Sequence, residues 1–162
     1  VKQGYLALRY HAGLTPEERQ SNQDYFVKGQ VQIIVATNAF GMGIDKADVR
    51  FVVHYNMPKD IESYYQEAGR AGRDGKQAEC LLLYDKSDII VNTYLIGHDQ
   101  PDLEWKDKEL KLLDKMIVYC NTSGCLRKYL LEYFGERVAS SCNNCGNCSQ
   151  SKNATWRRFL KL

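Results

Sequence analysis

The sequence has little net charge and no long apolar run. Its 22 lysines and arginines nearly balance its 20 aspartates and glutamates, which leaves a formal net charge of +2. This near balance gives no global field that attracts a polyanion, so any nucleic-acid surface must be a local patch. No run of about 18 apolar residues is present, so the sequence predicts no membrane helix. No basic and then apolar leader opens the chain, and we expect a protein that is not secreted.

Strand and helix patterns alternate through the first half of the sequence. Short, continuous apolar runs occupy 31–37, 51–56 and 79–84, and the first two contain β-branched residues. This pattern is typical of strands that are covered on both faces. Thr15 begins a helix signal, in which a glutamate three residues later completes a capping box. Alternating strands and helices predict an α/β fold with a mostly parallel sheet.

The second half of the sequence carries helix patterns only. One segment, 126–134, places five apolar residues on a single helical face, which we expect to be buried: Leu126, Tyr129, Leu130, Tyr133 and Phe134. We therefore predict an α/β domain over 1–96 and a small helical, cysteine-bearing module over 97–150. We interpret 151–162 as a flexible or foreign tail.

Four of the six cysteines have the spacing of a shared metal site: Cys125, Cys142, Cys145 and Cys148. A tetrahedral set of four thiolates is typical of structural zinc. An iron–sulfur cluster is an open alternative, although the bacterial ferredoxin run needs a further cysteine that is missing here. Disulfides are disfavoured because no secretory signal is present. Cys80 lies in a predicted strand and Cys120 in a predicted helix, where we expect both to be small core residues.

Residues 66–75 read QEAGRAGRDG and place Arg70 and Arg73 between glycines. Glycine is a poor residue for a helix interior, so this is a loop that brings backbone and cations close to a ligand such as phosphate. Parallel sheets bind ligands beyond the carboxyl ends of their strands. We therefore expect chemistry in the loops after Val35 and Tyr55 as well.

Three segments resemble helicase motifs IV, V and VI of the second RecA-like domain of superfamily 2: 10–14, 35–55 and 66–75. Their sequences most resemble those of RecQ-family DNA helicases. "CLRKYLLEYFGE" followed by "CNNCGNC" is similar to the zinc-binding module that follows the helicase core in that family. The resemblance covers about residues 5–148. It implies an incomplete RecA-like domain and a helical zinc module in an ATP-dependent enzyme of DNA repair and recombination. Such an enzyme is cytoplasmic, or nuclear in a eukaryote.

The resemblance also implies roles for individual residues. Arg73 matches the arginine finger of motif VI, Arg70 its companion, and Gln66 the polar residue that orients this loop. Asp45 and Gly43 match motif V positions near the nucleotide. Four further positions match contacts to the sugar–phosphate backbone of DNA: Thr37, Asn38, His11 and Gly13.

Two parts of such an enzyme are missing from the sequence. No G-x-x-x-x-G-K-[ST] phosphate loop and no Mg²⁺-holding acidic motif is recognisable, so we expect ATP and Mg²⁺ to be bound mainly by a separate first domain. The chain begins at Val1, and we interpret it as a piece of a helicase that cannot hydrolyse ATP alone. We expect single-stranded DNA and duplex junctions as partners and no membrane association.

Two other functions are open on the sequence alone. The chain is alternatively a non-catalytic, zinc-stabilised module that binds DNA or a partner protein. An α/β enzyme with a different substrate is less supported, because no nucleophile–base pair or catalytic carboxylate pair is recognisable.

Overall fold

The computed structural model describes residues 4–37, 46–99 and 102–149, together with the backbone of 158–161. The chain divides into two compact units, 1–46 and 47–162. None of the helices in the described ranges is both long and apolar enough to pass through a membrane.

The first unit pairs two parallel strands beside one helix. Its elements are β1 (Ala7–Tyr10), α1 (Pro16–Val27) and β2 (Ile33–Ala36), with Tyr10 of β1 in register with Ala36 of β2. The predicted helix start is confirmed: the Thr15 hydroxyl accepts from the Glu18 N–H, and the Glu18 carboxylate accepts from the Thr15 N–H. These two bonds satisfy N–H groups that a helix start otherwise leaves unpaired.

The second unit contains the other elements. In chain order they are β3 (Phe51–His54), α2 (Ile61–Ala68), β4 (Glu79–Leu82), α3 (Lys86–Asp99), α4 (Leu103–Asn121), α5 (Leu126–Tyr133) and β5 (Arg158–Lys161). Strands β3 and β4 are parallel, and β5 is antiparallel to β4. The predicted α/β class with mostly parallel pairing is confirmed. Four residues of the expected tail form β5, so a flexible tail does not describe them.

One hydrophobic core runs through the second unit. It joins side chains of α2 and β4, such as Tyr64 and Leu82, to side chains of α4 and α5, such as Met116 and Leu126. Cys80 and Cys120 are both fully buried in this core, as predicted. The expected boundary between 96 and 97 stays a prediction about domains, but the apolar core is continuous across it.

Helix α5 confirms most of its predicted buried face. Leu126 and Leu130 are buried, and Tyr129 and Tyr133 pack against the same core. The prediction was wrong for Phe134, which is 44% exposed. Phe134 follows the last helical residue and is the C-cap, so the helical spacing no longer sets its direction.

The turn between α2 and β4 depends on glycine. Gly72 has φ +68°, and a Cβ there would lie 3.0 Å from the Lys76 carbonyl oxygen and 3.1 Å from the Ala78 Cβ. Gly75 has φ +75°, but a Cβ there would meet no atom within 4 Å. Both glycines occupy the left-handed region that other residues enter at a cost, and only Gly72 is also crowded.

We expect Gly72→Ala to destabilise the second unit more than Gly75→Ala does. The left-handed backbone alone costs about 1 kcal/mol, and the crowding at Gly72 raises the total to about 2–3 kcal/mol. Urea denaturation followed by circular dichroism measures both losses in the free energy of unfolding. Equal losses for the two variants would contradict the crowding at Gly72.

Candidate functional site

The arginine loop, residues 69–77, is fixed by backbone hydrogen bonds to the segment that precedes β3. The Gly72 N–H donates to the Val49 carbonyl at 3.0 Å, and the Asp74 N–H donates to the Ala47 carbonyl at 3.1 Å. The loop therefore lies at the amino ends of β3 and β4. We expected chemistry in the loops after Val35 and Tyr55 as well, and the arginine loop does not share their position, because a parallel crossover helix returns the chain to the amino edge of its sheet.

Arg50 fastens this loop through its side chain. Its Nη2 lies 2.6 Å from Asp74 Oδ1, its Nη1 donates to the Gln77 carbonyl at 3.1 Å, and its Nε donates to the Asp48 carbonyl at 3.0 Å. The hydrogen bond from Arg50 holds the pKa of Asp74 below its ordinary value. Our sequence reasoning missed Arg50. In the sequence it is simply an arginine directly before a strand, and nothing local indicates its partner Asp74.

The two predicted catalytic arginines are neighbours on this loop. Arg70 is half-buried, while Arg73 is exposed and its Nε donates to the Gly69 carbonyl at 3.3 Å. Burial lowers the pKa of Arg70, and the nearby charge of Arg73 lowers it further, whereas Glu67 opposes both effects. Arginine keeps its charge at physiological pH despite such a shift. The loop thus concentrates two cations, an arrangement suited to binding an anion with several oxygens.

Gln66 lies on the last turn of α2, just before the arginine loop, and its side chain is exposed. It is therefore placed on the helix that leads into Arg70. No described hydrogen bond of its side chain tests its predicted orienting role, which stays a prediction.

The first unit brings three predicted DNA-contacting residues to one edge. His11 and Gly13 follow β1, and Thr37 follows β2, so all three lie at the carboxyl ends of paired parallel strands. The Gly13 N–H donates to Nδ1 of His11 at 3.2 Å. Nδ1 therefore acts as an acceptor, and in the neutral ring the proton sits on Nε2, which is able to donate to a phosphate oxygen.

Three other predicted site residues lie outside the described residues: Asn38, Gly43 and Asp45. Their assigned contacts to DNA and nucleotide stay predictions.

The four predicted metal ligands form one cluster in the second unit. The sulfur atoms of Cys125, Cys142, Cys145 and Cys148 all lie within 4.8 Å of one another. A tetrahedral zinc ion with bonds of about 2.3 Å sets its sulfur atoms about 3.8 Å apart. The 4.0 Å between the sulfurs of Cys125 and Cys145 approaches that value. The residues present therefore fit a Cys₄ zinc site.

Backbone N–H groups point at these sulfur atoms. Cys125 Sγ caps α5 by accepting from Lys128 and also accepts from Cys142, both at 3.4 Å. Cys145 Sγ accepts from the Leu126 N–H at 3.4 Å. Burial alone raises the pKa of Cys145, but hydrogen bonds led by that of Leu126 outweigh burial and bring the pKa to about 6. Cys145 therefore favours the thiolate, the form that binds metal, whereas burial and the neighbouring thiols raise the pKa of Cys148 to about 12.

Two asparagines that we did not single out shape the cysteine loop. Asn143 adopts φ +51°, a left-handed conformation that asparagine tolerates better than most residues. Asn147 Nδ2 donates to the carbonyls of Thr122 and Gly124 at 2.9 and 2.7 Å, which holds the loop against the chain that precedes Cys125. The sequence signal for these two residues was that each asparagine is next to a cysteine of the C-x-x-C-x-x-C spacing.

We expect Cys145→Ala to remove bound zinc and to destabilise the second unit. Four thiolates leave no open position for water, so the ion serves structure, and structural zinc contributes about 10–16 kcal/mol of apparent binding free energy in small modules. Mass spectrometry of the freshly purified protein measures the metal content, and thermal unfolding measures stability.

Cys120→Ala is the matched control, because Cys120 is equally buried but lies outside the cluster. It should keep one zinc ion per chain and lose only about 1 kcal/mol for the lost core volume. Full zinc content in Cys145→Ala would contradict the Cys₄ assignment.

Two family models match the chain. "Helicase conserved C-terminal domain" matches residues 1–75, and "RecQ zinc-binding" matches residues 86–149. The first contains the arginine loop up to Gly75, and the second contains all four clustered cysteines.

Whole-protein relatives are similar over most of this chain. It is 50% identical over 147 residues to the ATP-dependent DNA helicase RecQ of Bacillus subtilis, covering 90% of this chain and 24% of that protein. It is 46% identical over 169 residues to the RecQ-like DNA helicase blm-1 of Caenorhabditis elegans, covering 100% of this chain and 17% of that protein. The chain thus spans about a quarter or less of these relatives.

The fold has a counterpart among solved structures. A Saccharomyces cerevisiae Dbp5 variant bound to Gle1 and IP6 aligns with a TM-score of 0.50 at 23% identity, over 70% of this chain and 33% of that one. This likeness supports the RecA-like α/β fold alone.

A helicase C-terminal region and a RecQ zinc-binding region follow one another in this sequence. The chain therefore belongs to the RecQ family of helicases and corresponds to one segment of such a protein.

Proposed function

We propose that this chain is the part of an ATP-dependent DNA helicase that supplies the arginine finger, contacts to the DNA backbone and a structural zinc module. The arginine loop is the observation that carries the proposal. It holds two neighbouring cations, one of them exposed, on a glycine turn fastened by Arg50. We place such an enzyme in DNA repair and recombination, in the bacterial cytoplasm or a eukaryotic nucleus.

Arg73 is the proposed finger and Arg70 its companion. During phosphoryl transfer, negative charge spreads over the oxygens of the transferring group, and a guanidinium donates two parallel hydrogen bonds to such oxygens. An arginine finger is worth about 10³–10⁵ in rate in well-studied nucleotide hydrolases. ATP and Mg²⁺ are held mainly by a first domain outside this chain, with Gln66, Gly43 and Asp45 of this chain beside them.

The strand-end residues of the first unit are the proposed DNA contacts. The hydroxyl of Thr37 and the ring of His11 offer donors at one edge of paired strands. Gly13, whose N–H already donates to His11, and Asn38 are proposed to lie beside the same DNA strand. Donors of this kind hold phosphate and sugar without reading bases. We propose single strands and duplex junctions as the substrates, because a translocating enzyme must grip DNA regardless of its sequence.

We expect Arg73→Ala in the full-length protein to lower DNA-stimulated ATP turnover by at least about 10³-fold, because the charge on the transferring phosphoryl group loses its partner. Nucleotide binding should change by less than about tenfold. Steady-state ATPase assays and titration with a fluorescent nucleotide measure the two effects.

Lys76→Ala is the matched control for this variant. Lys76 is exposed on the same loop, and only its backbone N–H bonds to Asp74. Its replacement removes a cation without disturbing the turn, so turnover should remain at the wild-type level. Wild-type turnover in Arg73→Ala would show that Arg73 is an ordinary surface cation.

We also expect the 162-residue chain alone to show no DNA-stimulated ATPase activity, since it lacks a recognisable phosphate loop. A coupled ATPase assay with and without single-stranded DNA tests this division of labour, and measurable turnover would refute it. Binding of single-stranded DNA that weakens with salt, unaffected by nucleotide, would instead favour the non-catalytic binding module.

A further inference from the structure

A buried histidine holds the carboxylate that stands just before the arginine loop. His54, the last residue of β3, is 8% exposed, and its Nε2 lies 2.8 Å from Oε2 of Glu67 on α2. Tyr64 flanks the imidazole ring, with the ring centroids 5.0 Å apart. This packing leaves the ring little freedom to turn.

The hydrogen bond to Glu67 is the anchor of this ring. Nδ1 of His54 is buried and has no hydrogen-bond partner in the part of the chain that the structure describes. A buried ring nitrogen without a partner is costly, so the position of His54 is not explained by the satisfaction of its own polar atoms. The position of His54 is explained if its Nε2 is there to hold the Glu67 carboxylate.

Glu67 stands three residues before Arg70, and the Arg70 N–H donates to the Glu67 carbonyl at 3.3 Å. The charge of Glu67 also acts on the Arg70 guanidinium, because it opposes the lowering of the Arg70 pKa by burial and by Arg73. A carboxylate that pairs fully with Arg70 competes with a phosphate for the same guanidinium. The hydrogen bond between Glu67 and His54 therefore affects how freely Arg70 binds a phosphate.

We propose that His54 is a positioning residue, which engages one carboxylate oxygen of Glu67 and so limits how strongly Glu67 pairs with Arg70. The inference rests on the proposed function, because it concerns the availability of Arg70 to a nucleotide. His54 touches neither nucleotide nor DNA in this proposal and acts only through Glu67.

Four variants of the full-length protein test the inference: His54→Ala, His54→Gln, Glu67→Gln and the double variant His54→Ala with Glu67→Gln. We expect His54→Ala to lower kcat/KM for ATP by about tenfold. His54→Gln should stay within about threefold of the wild type, because its amide Nε2 is able to donate to Glu67.

The double variant separates positioning from packing. Once Glu67 is a neutral amide, it no longer competes for Arg70, so the double variant should recover to within about threefold of Glu67→Gln. A double variant as slow as His54→Ala would overturn the inference, since the loss would then come from the missing ring. If His54→Ala does not fold, a tenfold loss in soluble His54→Gln overturns it equally.

A readout that needs no turnover separates this inference from the proposed function. In NMR spectra of the 162-residue chain, exchange of the Arg70 guanidinium protons should slow in His54→Ala and return to the wild-type rate in the double variant. That pattern, combined with wild-type ATPase turnover in full-length Arg73→Ala, would refute the proposed arginine finger and sustain the positioning role. Identical exchange in all variants would overturn the positioning role even in an active enzyme.

Discussion

The ion pair between Arg50 and Asp74 is the contact on which the shape of the arginine loop depends. It joins Asp74 within the loop to the residue before β3, and the same guanidinium also binds the Gln77 carbonyl. Asp74 directly follows Arg73 in the sequence. The Asp74 carboxylate would compete with an incoming phosphate for the Arg73 guanidinium unless another cation pairs with it. Arg50 is that cation, with its Nη2 2.6 Å from Asp74 Oδ1. In the proposed arrangement, His54 has the corresponding effect on Glu67, which lies on α2 just before the loop.

The zinc module and the arginine loop share one core. Tyr64 on α2 lies between His54 of β3 and Tyr119 of α4, with ring centroids 5.0 and 5.4 Å apart. The ring of Tyr119 in turn lies 5.7 Å from that of Tyr129 on α5, the helix that Cys125 caps. Tight packing transmits displacements rather than absorbing them. A continuous row of packed rings therefore joins the helix that Cys125 caps to α2.

Sequence alone predicted the secondary structure well, because the signals were local. The capping box at Thr15, the apolar strands and the C-x-x-C-x-x-C spacing all act within a few residues. The Arg50 clamp and the pair of His54 with Glu67 were missed, since their partners are 24 and 13 residues apart and only the fold brings them together. The edge of the sheet on which the arginine loop lies follows from crossover topology and has no sequence signal of its own.

The central claim is that Arg70 and Arg73 meet a nucleotide phosphate held by another domain. A crystal structure of the full-length protein with ADP, Mg²⁺ and a mimic of the transferring phosphoryl group measures this directly. We predict guanidinium nitrogens of both arginines within about 3 Å of phosphate or mimic oxygens. Both guanidiniums bound to protein groups alone and directed away from the nucleotide would contradict it.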